Sequence, residues 1–281
     1  MVEYDIEGLF DNLDHELLMR AVKTHTDIPW VILYINRWLK APLKAPGGDM
    51  LERSSGTPQG GVISPVLANL FLHYAFDKWM RREYPHLKWA RYADDGLIHC
   101  RTEQEAESVL KSLEQRMEQC SLSIHPDKSK IIYCKDYNRK DKYEVTSFDF
   151  LGYTFRPRWV RSRAGRIFLG FGPAASAKAT KEMRQTVRSW KIYKRVSDEL
   201  ETIAEWINPI IRGWINYYGK YQKSELHSVM LMINRALTQW ARRKYRKMKR
   251  KKRQSIIWLH NYARYNPNLF AHWSMGYKPT G

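Results

Sequence analysis

The sequence predicts an α+β protein, an antiparallel sheet with helices followed by an all-α region, and three observations carry that prediction. Residues 1–172 alternate short strand-like runs with amphipathic helical runs and lack the uniform spacing of a parallel sheet. Residues 173–281 carry long apolar stripes at helical spacing. Charge divides at the same place: residues 1–172 hold 25 basic and 23 acidic side chains, whereas residues 173–281 hold 23 and 6. The boundary is placed at Gly170-Phe171-Gly172-Pro173, where two glycines and a proline interrupt the pattern.

The formal net charge over 281 residues is +19. Solubility needs only about 2 to 8 charges, so the excess points to a polyanionic partner, above all nucleic acid. Hydrophobic content of 43% allows real cores and excludes a disordered basic tail. Cys100, Cys120 and Cys134 show neither metal-ligand spacing nor a disulfide framework. They read as reduced thiols of a cytoplasmic protein. No apolar run reaches the roughly 18 residues of a membrane span, and the acidic start MVEYDIEGLFDN lacks a signal-peptide pattern.

Residues 2–6 read as a strand ending in an acid. Asp14 is the expected N-cap of a helix over 15–23, and residues 31–39 form a second helix. The Gly/Pro-rich stretch 42–48 makes a turn. Ser64-Pro65 reads as N-cap and first helical residue of a helix reaching about Arg82. Residues 88–92 and 96–100 are strands joined by Ala93-Asp94-Asp95. Residues 103–120 form an amphipathic helix, and 147–155 another strand region. Beyond the boundary, residues 178–200 read as one helix. Asn208-Pro209 opens the next, with Ile210, Ile211, Trp214, Ile215 and Tyr218 as its stripe and Gly219 as its C-cap. Leu226, Val229, Met230, Ile233, Leu237 and Trp240 form a further stripe, giving a three-helix region.

Two acidic sites suggest chemistry. One is Asp5-Ile6-Glu7-Gly8-Leu9-Phe10-Asp11; the other is Tyr92-Ala93-Asp94-Asp95. Adjacent carboxylates repel unless a cation shares them. A strand-end Asp beside an Asp pair suits two Mg²⁺ ions about 3.5–4 Å apart, the clamp for phosphoryl transfer. A solvated turn is the alternative. Between the two lies Gly56-Thr57-Pro58-Gln59-Gly60-Gly61, whose glycines let backbone approach a flat ligand and whose Gln59 offers both donor and acceptor.

In this order the segments YDIEGLFDNLDH, GTPQGGVISPVLANLFLHYAFD, RYADDGLIHC, LSIHPDKSKI and FDFLGYTF resemble the palm of reverse transcriptases, and more closely the group II intron-encoded reverse transcriptase/maturase family. WINPIIRGWINYYGKY is similar to that family's maturase-specific domain. The resemblance spans nearly the whole chain. It implies a palm in residues 1–172 and a helical thumb/maturase region in 173–281. It further implies RNA-directed DNA synthesis from an RNA template, a DNA primer and deoxynucleoside triphosphates, with binding of group II intron RNA for splicing. The alternative is an RNA-binding maturase that does not polymerise.

The same resemblance assigns roles. Asp5 and Asp94 become metal ligands, with Asp95 and the Ile6 carbonyl beside them. Phe10 becomes the gate against a 2′-hydroxyl, with plain core packing as its alternative. Gln59 and Gly60 contact the incoming nucleotide. Lys128 protonates the leaving pyrophosphate, with Lys130 as its alternative. Phe150, Leu151 and Gly152 position the primer end. The family carries a fingers region before the first motif, whereas Met1 lies four residues before Asp5. A truncated copy, a misassigned start and a split protein completed by a fingers fragment in trans all satisfy that reading. Arg184, Arg188, Lys191, Lys194 and Arg195 are assigned to RNA phosphates. So are Arg242, Arg243, Lys244, Arg246 and Lys247, from a run with 10 basic residues in the 12 from 242 to 253. Tyr217, Tyr218 and Tyr221 are candidate base-stackers.

Overall fold

A computed structural model describes residues 1–44, 50–58 and 60–280 of the chain. Strand β1 (Val2–Tyr4) buries Val2 and Tyr4 and leaves Glu3 between faces, the period-two signature of a strand. Helix α1 (Leu9–Asn12) is one turn, entered through Gly8 at φ 55°. Helix α2 (His15–Lys23) starts at Asp14, whose carboxylate accepts from the Leu17 N–H at 2.8 Å, the expected cap. Helix α3 (Pro29–Lys40) follows. Strands β2 (Leu43–Lys44) and β3 (Met50–Leu51) pair antiparallel. Part of the expected 42–48 turn lies outside the described residues.

Helix α4 (Ser64–Leu72) runs through a π-helical turn, His73–Asp77, into α5 (Lys78–Glu83). Ser64 is the first helical residue and not the cap: its hydroxyl donates to the Pro58 carbonyl at 2.7 Å, holding the preceding loop. Strands β4 (Lys88–Tyr92) and β5 (Asp95–His99) form a hairpin. Helix α6 (Glu103–Glu118) is capped by Thr102 and buries Ala106, Val109, Leu113 and Met117, the expected stripe. With β6 (Lys130–Ile131) the sheet is antiparallel in the order β4-β5-β1-β6, so β1 sits between two partners.

A second sheet, β7 (Phe148–Phe150), β8 (Tyr153–Arg161) and β9 (Ile167–Ala175), is antiparallel in that order. The glycines and proline expected to mark a boundary at 172/173 lie inside β9. An edge strand tolerates Pro173 because one side of its backbone needs no partner. The two compact units instead part nearer the first sheet: Met1–Cys134 with Lys142–Thr146, and Lys135–Asp141 with Ser147–Gly281. The first holds 17 basic and 20 acidic side chains, the second 31 and 9.

In the second unit the expected helix over 178–200 is broken. Helix α7 (Ala177–Ser189) stops before Lys191, which takes φ 47°, and a 3-10 turn follows. Helix α8 (Leu200–Tyr218) contains Asn208 and Pro209 in its interior. Asn208 does not cap: its amide donates to Leu269 O at 2.9 Å and its carbonyl accepts from Ala271 N–H at 2.8 Å. Helix α9 (His227–Lys244) buries Val229, Met230, Ile233, Leu237 and Trp240 as expected. Helices α10 (Lys252–Tyr265) and α11 (Ala271–Ser274) extend the region beyond three helices.

Asn234, buried in α9, completes this core. Its Oδ1 accepts from His272 Nε2 and Trp273 Nε1, both at 2.8 Å, and its Nδ2 donates to Tyr277 O at 3.0 Å. Burial pushes His272 down to about 3. The folded state therefore binds fewer protons than the unfolded state between about pH 6.5 and pH 3. Denaturant melts of the full chain should lose stability steadily as pH falls through that window. His272→Gln should flatten the dependence.

Candidate active site

Asp5 follows β1 directly and is gripped by the segment at 123–130. Its N–H donates to Ser129 Oγ at 3.1 Å and its carbonyl accepts from His125 N–H at 2.8 Å. Lys128 Nζ donates to both carboxylate oxygens of Asp5 at 3.2 and 3.3 Å. Ile6 bridges to Ile124, and Glu7 N–H donates to Ser123 O at 2.9 Å. Lys130 lies apart, paired with Glu3 at 3.2 Å.

The hairpin turn is two residues long, Ala93-Asp94, because Tyr92 pairs with Asp95. Asp95 thus belongs to β5, whereas the sequence reading placed it in the turn with Ala93 and Asp94. Ala93 takes φ 53°, a conformation tight hairpins demand and alanine disfavours. Arg91 holds it there. Its Nε and Nη2 donate to the two Asp77 carboxylate oxygens at 2.8 and 2.9 Å, and its Nη1 donates to Asn69 Oδ1 and to Ala93 O, both at 3.0 Å. The forked guanidinium therefore ties the acidic turn to the helix α4–α5 through charge-assisted bonds. Tyr4 packs across Gly96, its register partner, so closely that a Cβ there would meet the ring at 2.1 Å.

Asp94, Asp5 and Lys128 all act on Asp95. The Asp95 carboxyl is raised above its ordinary value by burial first, then by the charges of Asp94 and Asp5, with Lys128 opposing. Among the described residues no group of three or more His, Cys, Asp or Glu stands in a metal-holding arrangement. The donor set still suits a hard dication. It is all oxygen, its carboxylates crowd one another, and the Lys128 ammonium already stands as a cation on both Asp5 oxygens.

The glycine loop is stitched to the first motif. Gly56 N–H donates to Leu13 O at 2.7 Å, Thr57 N–H to Phe10 O at 2.6 Å, and His15 Nε2 to Gly56 O at 2.7 Å. A Cβ on Gly56 would lie 2.6 Å from the Phe10 and Asp11 carbonyls, so only glycine fits. Phe10 is half-buried against the first core. Gly60 takes φ 82° with open space at its Cβ position. Gln59 lies outside the described residues.

Phe150, Leu151 and Gly152 belong to the second unit. Leu151 and Gly152 form the two-residue turn between β7 and β8, with φ 49° and 78°. Tyr217 Oη donates to Leu151 O at 2.9 Å, Tyr153 Oη donates to Tyr217 O, and Tyr218 Oη packs 2.6 Å from where a Gly152 Cβ would be. These tyrosines hold the turn, and Tyr217 and Tyr221 keep exposed ring surface. Among the basic candidates, Arg184 reaches Ser228 Oγ at 3.5 Å, while Arg188, Lys191 and Lys194 are exposed. Arg195 pairs with Asp198 at 2.9 Å and stacks on Trp206 at 4.0 Å. Lys244 is paired with Glu199 at 2.6 Å and donates to Asp198 O at 2.7 Å.

Sequence reading gave no role to Arg91, Asp77, His125 or Ser129, and it placed Gly56 in the glycine loop without its contact to the Phe10 and Asp11 carbonyls. Arg91 left one signal, a cation three residues before Asp94 in a strand; the others depend on partners far along the chain.

Residues 1–155 match the family described as reverse transcriptase (RNA-dependent DNA polymerase), and residues 180–258 match the group II intron, maturase-specific domain. The chain is 26% identical over 197 residues to Protein YkfC of Escherichia coli (strain K12), covering 58% of this chain and 48% of that protein. It is 40% identical over 72 residues to the group II intron-encoded protein LtrA of Lactococcus lactis subsp. cremoris, covering 26% of this chain and 12% of that protein. A solved telomerase from Candida albicans, in complex with a fragment of telomeric RNA, overlays with a TM-score of 0.45 at 12% identity, covering 98% of this chain and 49% of that one. The chain thus spans less than half the length of each of these three.

Two substitutions test the scaffold by chemical denaturation. Arg91→Ala removes the guanidinium from Asp77 at a site only 14% exposed, leaving it His73 at 3.5 Å, and should cost about 3 kcal/mol. Asp95→Asn removes one of three mutually repelling carboxylates and should raise the unfolding midpoint.

Proposed function

Because the chain belongs to the reverse transcriptase (RNA-dependent DNA polymerase) family, in its group II intron-encoded, maturase-bearing branch, we propose that it polymerises DNA on an RNA template and binds its intron RNA as a cytoplasmic ribonucleoprotein. The observation that carries this reading is that Asp94 and Asp5 both act on the Asp95 carboxyl, with the Lys128 ammonium bonded to Asp5 and opposing them. The primer 3′-oxygen forms a bond to the α-phosphorus of a deoxynucleoside triphosphate, and pyrophosphate leaves.

Asp5 and Asp94, with Asp95 and the Ile6 carbonyl beside them, would hold two Mg²⁺ ions, which supply charge neutralisation for in-line displacement. The protein's own part is mainly positioning. Arg91 and the 123–130 segment fix the carboxylates before substrate arrives. Lys128 Nζ, at present bonded to Asp5, carries the proton offered to the leaving pyrophosphate. The Phe10 ring closes the space a ribose 2′-hydroxyl would need. Gly60, whose Cβ position meets nothing among the described residues, leaves backbone open to the base pair, and Gln59 offers it a donor and an acceptor. Phe150, Leu151 and Gly152 hold the primer end.

Primer extension on an RNA template with Mg²⁺ tests the reading. Asp94→Ala should reduce extension by about a thousandfold or more while leaving RNA affinity unchanged. A variant that still extends would remove Asp94 from the site. Phe10→Ala should admit ribonucleotides into the product, read by alkaline cleavage; undiminished discrimination would make Phe10 a core residue only.

A further inference from the structure

Helix α3 is apolar on two sides, and the first unit covers one of them. Ile35 and Leu39 are buried in its core, with Val31 packed beside them. The other side carries Trp30, Leu33, Tyr34 and Trp38, a helical stripe that is exposed throughout. Trp30, Tyr34 and Trp38 are 64%, 48% and 45% exposed, which leaves about 350 Å² of aromatic surface in water. A contiguous apolar patch of that size marks an interaction site. Tyr34 and Trp38 lie in ring contact, centroids 6.1 Å apart, so part of the surface is set before a partner arrives.

The spacing of the rings selects the partner. Trp30 and Trp38 stand four residues to either side of Tyr34, so the stripe reads the same in both directions. Two such helices laid antiparallel across a two-fold axis set Tyr34 against Tyr34 and each Trp30 against the other copy's Trp38. The charges agree with that pairing. Asp27 precedes the helix, and Arg37 and Lys40 lie in its last turn. All three are exposed, and none has an ion pair among the described residues. In the antiparallel pair each Asp27 stands beside the other copy's Arg37 and Lys40, and the two helix dipoles oppose. A parallel pair would set Asp27 on Asp27 and cation on cation.

We infer that the exposed face of α3 is a two-fold interface between copies of this chain, centred on Tyr34. With Leu33, Ile28 and the charged rim added to the rings, each copy buries about 600 Å², the lower end of the range for specific interfaces. The dimer is therefore one that assembles at about micromolar concentration and not a permanent one. Trp and Tyr are the side chains that concentrate binding energy at the centre of an interface, and here they occupy it. α3 holds none of the residues assigned to polymerisation, so the interface stands apart from that reading.

The test is sedimentation velocity of the full chain, freed of nucleic acid by nuclease, over about 1 to 100 μM. The parent protein should pass from monomer to dimer across that range. Tyr34→Glu puts two carboxylates on the axis and should raise the dissociation constant at least about 100-fold. Tyr34→Lys should do the same with two ammonium groups. Mixing the two variants sets opposite charges face to face and should restore a dimer. Circular dichroism reports whether the variants fold. If they do not, the rim decides: Asp27→Lys and Arg37→Glu should each weaken the dimer about tenfold, and the two combined in one chain should recover it.

A parent protein that stays monomeric to about 100 μM overturns the interface and leaves the face to a partner of another kind. A dimer that Tyr34→Glu leaves intact overturns it as well, since the contact then lies elsewhere. Dimers that either folded variant breaks and the mixture does not restore overturn the antiparallel register centred on Tyr34.

Discussion

The carboxylates of Asp5, Asp94 and Asp95 repel one another, and much of the first unit serves to keep them together. Mutual repulsion would separate them in a flexible chain. Here each stands on over-determined backbone. Asp5 has its N–H and carbonyl bonded to the 123–130 segment and its carboxylate to Lys128. Asp95 is locked in the register of β5, and the turn carrying Asp94 is tied by Arg91 to a helix. The strain at Ala93 persists because these bonds leave it no alternative. Such rigidity is what positional catalysis by charge requires, since a group that must reorganise loses much of its effect.

The second unit solves a different problem, the burial of polar groups in a helical core. Asn208 and Asn234 carry the terminal segment on side-chain amides, with His272 kept neutral between them and Trp273. Tyr217 does the same for the turn at Leu151-Gly152 by donating to the Leu151 carbonyl, beside the Ser176 N–H that donates to the Gly152 carbonyl. The charge of this unit is not uniform in effect. Arg195 and Lys244 are paired with Asp198 and Glu199, while Arg242, Arg243, Arg246, Lys249 and Arg250 have no ion pair among the described residues. Counted by unit, the acid-bearing part has more acids than bases, so the whole positive excess lies with the second.

Much of this was legible in the sequence. The Asp14 cap, the α6 stripe, the α9 stripe and the strand at 88–92 all followed from local periodicity and capping chemistry, which act within one or two turns. The failures share a cause. Ser64 and Asn208 have the side chains of caps, yet each is bonded to a residue that local reading could not place beside it. β9 carries glycines and a proline that read as a linker, and only pairing with β8 makes it a strand.

The sequence by itself determined which chemistry was available: paired acids near a strand end and in a hairpin, a glycine loop between them, helical stripes and a strongly basic second half. These depend on residue type and short-range spacing. Tertiary structure decided which of those groups meet. It set Lys128 on Asp5, gave Arg91 the task of holding the acidic turn, and made Gly56 indispensable against the Phe10 and Asp11 carbonyls. It also took one cation of the basic run, Lys244, and paired it with Glu199. Contacts of this kind join residues tens of positions apart, and their energy depends on where the chain returns rather than on what it is locally.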